Sequence, residues 1–162
     1  MDASVVIVIF VCIAWFCILI QAMLAKKLPL AVNFLLFMVL EAILTNKLTI
    51  IGYNMNKFQI NTHSMPHFIS LILHNDFTVT FVLITFANVF LNTSRSVLRW
   101  AITIYTFLFQ LLIGAMLRWN GVLTDNGWTT GMESVIILSM MAVTLLLGGL
   151  FRRMAFKEGW VR

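Results

Sequence analysis

The sequence predicts an all-α fold: a polytopic transmembrane helical bundle of about five spanning helices, N-terminus outside and C-terminus inside. Three observations carry that prediction. Hydrophobic residues make up 61% of the 162-residue chain and charged residues 10%, whereas a soluble domain carries about 25% charged residues. Five apolar stretches, near residues 4–25, 28–48, 68–91, 101–117 and 134–151, have the length to cross a bilayer, which takes about 20 helical residues for a hydrocarbon core of about 30 Å. Basic residues gather at alternate ends of these stretches. Backbone groups in lipid are satisfied only by helices or closed barrels, and no stretch shows the period-2 alternation of a barrel strand.

The first stretch is preceded by Asp2 and by no Lys or Arg, so it lacks the basic region of a signal peptide. It reads as a retained span inserted N-terminus outward. Asp at position 2, and a C-terminus without a Cys-containing box, give no lipidation signal. Cys12 and Cys17 are five apart, on different helix faces, and are expected to be small apolar packing residues. The second stretch carries Glu41 and leads into a polar loop with Gly52, Tyr53, several Asn and Pro66. In the third, the string His74-Asn75-Asp76 is followed by Thr78, Thr80, Thr85 and Asn88, polar groups on several faces that predict a central, buried helix. The fourth holds Gln110 about midway and ends at Arg118. The next loop contains the turn pairs Asn120-Gly121 and Asn126-Gly127, with Trp119 and Trp128 expected at headgroup level. The fifth includes Gly148-Gly149, which favours close helix packing. With no repeat and no soluble segment, residues 1–162 read as one integral membrane domain.

Basic residues set the orientation. Lys26, Lys27, Arg95, Arg99, Arg152, Arg153, Lys157 and Arg162 fall on one side of a five-span chain, and Lys47, Lys57 and Arg118 on the other. The positive-inside rule puts the eight in the cytoplasm, with the protein in the cell membrane. The net charge of +5 is thereby explained by segment ends, and no basic helix or aromatic-basic platform points to nucleic acid.

In this topology Glu41, His74, Asn75, Asp76, Gln110 and Arg118 share the outer half of the bundle, which makes them the candidate ligand- or ion-binding residues. Asp76 is expected to face the bundle interior and to contact at least one of Glu41, Gln110 and Arg118. Three readings of the cluster compete. It is a satisfied network fixing helix register, a working site for protons, a cation or a small polar ligand, or a catalytic or metal site. The metal candidates are His63 and His67, spaced i,i+4, with His74 and Asp76 following. Pro66 interrupts the first pair and no H-E-x-x-H pattern is present, so no bound metal or other cofactor is expected.

His74-Asn75-Asp76 in an aromatic-rich span, with Gly121-Val122 and Asn126-Gly127-Trp128 before the last span, resembles small uncharacterised multi-pass membrane proteins of Bacillus-type bacteria. The resemblance covers about residues 70–155 and implies a fold type, not a chemistry. Small size, the absence of a soluble segment, and 14 Phe with 10 Met point to a non-enzymatic component of a membrane complex: an accessory subunit, assembly factor or sensor packed against other subunits or copies of itself. The alternative is a proton- or ion-handling or small-solute transport protein using the polar cluster. A membrane-embedded metal-dependent enzyme comes third.

Overall fold

A computed structural model describes residues 2–24, 28–62 and 64–157. Lys26, Lys27, His63 and Arg162 lie outside the described residues. Five helical rods are long and apolar enough to cross a membrane: Ala3–Met23, Leu30–Asn54, Met65–Asn92, Ser96–Trp119 and Thr130–Lys157. The first is helix α1 and the fourth and fifth are α5 and α6. The second is α2 (Leu30–Leu48) continued by a π-helical turn, Thr49–Asn54. The third is α3 (Met65–Ile72), a π-helical segment (Leu73–Val79) and α4 (Thr80–Asn92).

Local chemistry explains the entries. Pro29 precedes α2 and Pro66 sits in the first turn of α3, where a missing N–H costs nothing and the fixed φ suits a helix. Four rods run past the apolar stretches read from sequence: the second, fourth and fifth reach Asn54, begin at Ser96 and end at Lys157, and the third starts at Met65. In the fourth and fifth, hydropathy breaks at a charged residue, Arg99, Glu133 or Arg152, but helical hydrogen bonding does not. Arg99, Arg118, Glu133 and Arg152 continue their helices because each finds a polar partner at a bundle end.

The third rod is the centre. In its most apolar stretch 56% of residues are buried, against 22–28% in the other four. α1 packs on α3, the π segment and α4, while α2, α5 and α6 pack on α4. A stripe on α2, Val32, Leu36, Leu40 and Leu44, recurs every four residues and is fully buried. Its Leu36, Leu40 and Leu44 meet Val79, Leu83, Phe86, Met140 and Met141 in the largest apolar cluster, and Val32 packs with Leu28 and Ala155. A Cβ on Gly148 would stand 3.0 Å from Leu91 and 3.8 Å from Ala87, so this glycine sets the approach of α6 to α4, whereas Gly149 faces open space. On α1, Cys17 is buried and Cys12 exposed.

One end of the bundle is tied by side-chain amides: Asn88 accepts from the Leu28 backbone N–H and donates to Asn33 (2.8 Å) and the Ile84 carbonyl (2.8 Å). The other end is closed by a short antiparallel ribbon. Strand β1 (Phe58–Ile60) pairs with β2 (Leu123–Asp125), Phe58 opposite Asp125 and Ile60 opposite Leu123. Its turns use Gly121 and Gly127 at φ +68° and +76°, a backbone conformation that favours glycine.

Candidate functional site

The polar residues fall into two groups. The first lies under the ribbon. Arg118, in the last turn of α5, donates from Nε to Asp125 Oδ1 (2.9 Å) and from Nη2 to Glu133 Oε2 (2.8 Å). Trp128 Nε1 donates to the same Glu133 oxygen at 2.6 Å. Gly114, one turn earlier on α5, leaves the space for this pair: a Cβ there would come within 3.3 Å of Arg118 Nη1 and 3.8 Å of Glu133 Oε1. Beside the pair is a cavity of about 40 Å³ lined by Lys47, His74, Asn75, Arg118, Trp128 and Glu133, with Phe58 and Leu123 of the ribbon over it. That is room for one or two waters and no larger solute. Lys47 acts electrostatically on Glu133 and His74, yet among the described residues no carboxylate comes within ion-pair distance of it. The His74 ring lies edge-on to Phe10, 6.2 Å between centroids. Its Nδ1 has no hydrogen-bond partner among the described residues.

The second group is on the flank between α2 and the π segment. Thr80 Oγ1 donates to Glu41 Oε1 at 2.6 Å and Asn75 Nδ2 to Asp76 Oδ1 at 2.9 Å. Glu41 and Asp76 are close enough to act on each other electrostatically, and both are half-buried. The π turn makes this arrangement. Its wider i→i+5 bonding lets Thr78 Oγ1 donate back to the Leu73 carbonyl (3.2 Å), and it turns Asn75 into the bundle while Asp76 stays at its edge.

Not all six candidate residues meet. His74, Asn75 and Arg118 line one cavity, while Glu41 and Asp76 are neighbours on the flank. Gln110 is buried, and its Nε2 has no partner among the described residues. Arg118 pairs with Asp125 and Glu133 instead of Asp76 or Glu41, because α5 packs on α4 and α6 and the π segment is held between α1 and α2. Asp76 is at the bundle edge, half-buried, not in its interior. Its hydrogen-bond partner is Asn75, and of the three expected partners Glu41 alone is near it, as a like charge. His67 Nδ1 lies 3.1 Å from Asn61 Nδ2. Among the described residues no three His, Cys, Asp or Glu side chains gather as metal ligands would. His63 lies outside them.

Lys47, Trp128 and Glu133 are absent from the sequence-level site. A signal for Lys47 exists: it follows the α2 stripe at Leu44 by three residues, so it turns toward the core. Glu133 opens the helix after the loop that Arg118 closes, an opposite charge facing it across a helical hairpin. Comparison with family models, with curated proteins and with solved structures returns no match.

Proposed function

We propose that this chain is a non-enzymatic component of a membrane complex, seated in the cell membrane with its N-terminus and ribbon outside. The observation that carries this reading is the closed interior. The cavity under the ribbon is only water-sized, about 40 Å³, and beneath it Leu36, Leu40, Val79, Leu83, Phe86 and Met140 form an apolar layer from α2 through the third rod to α6. Such a layer leaves no polar path across the middle of the bundle among the described residues, and the larger clefts, such as the one of about 470 Å³ beside Phe90, Arg99 and Trp100, lie outside it. What the molecule offers is its lateral surface, where large apolar side chains such as Phe34, Met38 and Trp100 are exposed. Kinship with the Bacillus-type small membrane proteins belongs to the same proposal.

A second reading, proton or ion handling, is favoured by the half-buried Glu41–Asp76 pair. Reconstitution separates the two. Purified protein in liposomes should carry no proton or cation flux above empty vesicles, and native mass spectrometry from mild detergent should find it in a stoichiometric complex. Flux abolished by Asp76→Asn, with folding intact, would overturn the component reading.

A further inference from the structure

We propose that the Glu41–Asp76 flank is the docking face for a transmembrane helix of a different protein, one that carries a single Lys or Arg at mid-membrane depth. This inference rests on the component reading and names the chemistry of the partner.

Depth comes first. Glu41 stands 11 residues from Leu30 and Asp76 11 residues from Met65, each about 17 Å along its rod. A hydrocarbon core is about 30 Å thick, so both carboxylates are near its middle. They approach from antiparallel rods, and so meet at one level.

Orientation comes second. Thr80 holds one oxygen of Glu41 and Asn75 one oxygen of Asp76, which leaves the second oxygen of each carboxylate for another donor. The side chains are fixed at the flank before any partner arrives. Around them Met38 and Phe34 on α2, and Phe77 and Ile72 on the third rod, are exposed apolar side chains suited to pack against a helix.

Charge decides the occupant. Among the described residues no cation of this chain reaches the pair. Lys47 and Arg118 stand under the ribbon beside Glu133, Lys57 is in the loop before β1, and Arg95, Arg99, Arg152, Arg153 and Lys157 are at the opposite end. A second copy would therefore bring two more carboxylates and no partner for them. Intramembrane charges pair with one another or with backbone carbonyls. A guanidinium or ammonium from another chain at the same depth would supply both the compensating charge and the donors that the two remaining oxygens accept.

The test uses the full chain in lipid vesicles and labelled single-span peptides, each an otherwise identical Leu/Ala helix with Lys, Leu or Glu at its centre. Binding is read by energy transfer to dye-labelled protein. The Lys peptide should bind at least tenfold more tightly than the Leu peptide, and the Glu peptide no better than Leu. The preference should vanish in Glu41→Gln/Asp76→Asn, whose isosteric side chains keep the Thr80 and Asn75 contacts. Because the three peptides probe the unaltered protein, the comparison survives if that variant does not fold. Equal binding of Lys and Leu peptides, or a Lys preference kept in a folded double variant, would overturn the inference. If the peptides fail but the chain still enters a stoichiometric complex without flux, the partner chemistry is wrong and the component reading stands. Proton flux that depends on Asp76 would remove both.

Discussion

Replacing Arg118 with Met removes the one group that bridges Asp125 and Glu133, and the two arms of the bridge should contribute unequally. The Asp125 carboxylate is 36% exposed, so that arm is a surface pair of about 0.2–1 kcal/mol. The Arg118 and Glu133 side chains are 22% and 21% exposed. Breaking a fully buried pair costs about 3–5 kcal/mol, and partial exposure together with the remaining Trp128 bond lowers this to about 2–3 kcal/mol. The sum for Arg118→Met is about 3 kcal/mol, a fall in Tm of about 6–12 °C at about 2–4 °C per kcal/mol for a chain of this size. Asp125→Asn should cost less than about 1 kcal/mol. The double variant Arg118→Met/Glu133→Leu should recover part of the loss, since no charge is stranded, giving a coupling of at least about 1 kcal/mol between the two positions. Thermal unfolding in a fixed detergent, followed by tryptophan emission, measures the unaltered protein, Asp125→Asn, the singles Arg118→Met and Glu133→Leu, and the double variant. Strict additivity of positions 118 and 133, or an Asp125→Asn effect as large as that of Arg118→Met, would refute the assignment of the Glu133 arm as the stronger one.

Two further outcomes follow from the packing and from the basic residues. Gly149→Ala should raise Tm, because it gains up to about 1 kcal/mol of helix propensity in open space, whereas Gly148→Val should lower it by driving side-chain carbon into Leu91, already 3.0 Å from a Cβ at that site; equal effects would show that α6 does not seat on α4 through Gly148. In a background without Cys12 and Cys17, single cysteines at Asp2 and Asp125 should react in intact cells with an impermeant thiol reagent and one at Lys157 should not; labelling at Lys157 would reverse the proposed orientation.

The five rods were readable because hydrophobicity over about 20 residues is a property of composition alone. Their ends were not, since Arg118 and Glu133 continue helices through contacts that hydropathy does not record. The central place of the third rod also followed from its polar residues, Thr80, Thr85 and Asn88, each of which has a partner in the bundle. What regular helix geometry could not give is the π segment. At 100° per residue, His74 and Asp76 point apart, and the wider turn adds a displacement that no residue type announces. The ribbon was equally hidden: β1 and β2 are three residues each and pair across more than 60 positions of sequence. Without it, Asp125 and Trp128 read as loop residues, and Lys47 as an end charge.

The two polar groups differ in how their charge is compensated, and that difference is what the proposed docking flank rests on. Under the ribbon, Arg118 and Lys47 balance Asp125 and Glu133 within one chain, and the space left between them is water-sized. The cluster holds α5 to α6 and closes the end of the bundle. Glu41 and Asp76 have hydrogen bonds but no cation among the described residues, and both are half-buried. On the proposed reading, a chain that places its described cations at the ends and under the ribbon, and keeps two oriented carboxylates on one flank, is completed by another helix. The partner that completes it is specified by charge and depth before it is specified by shape.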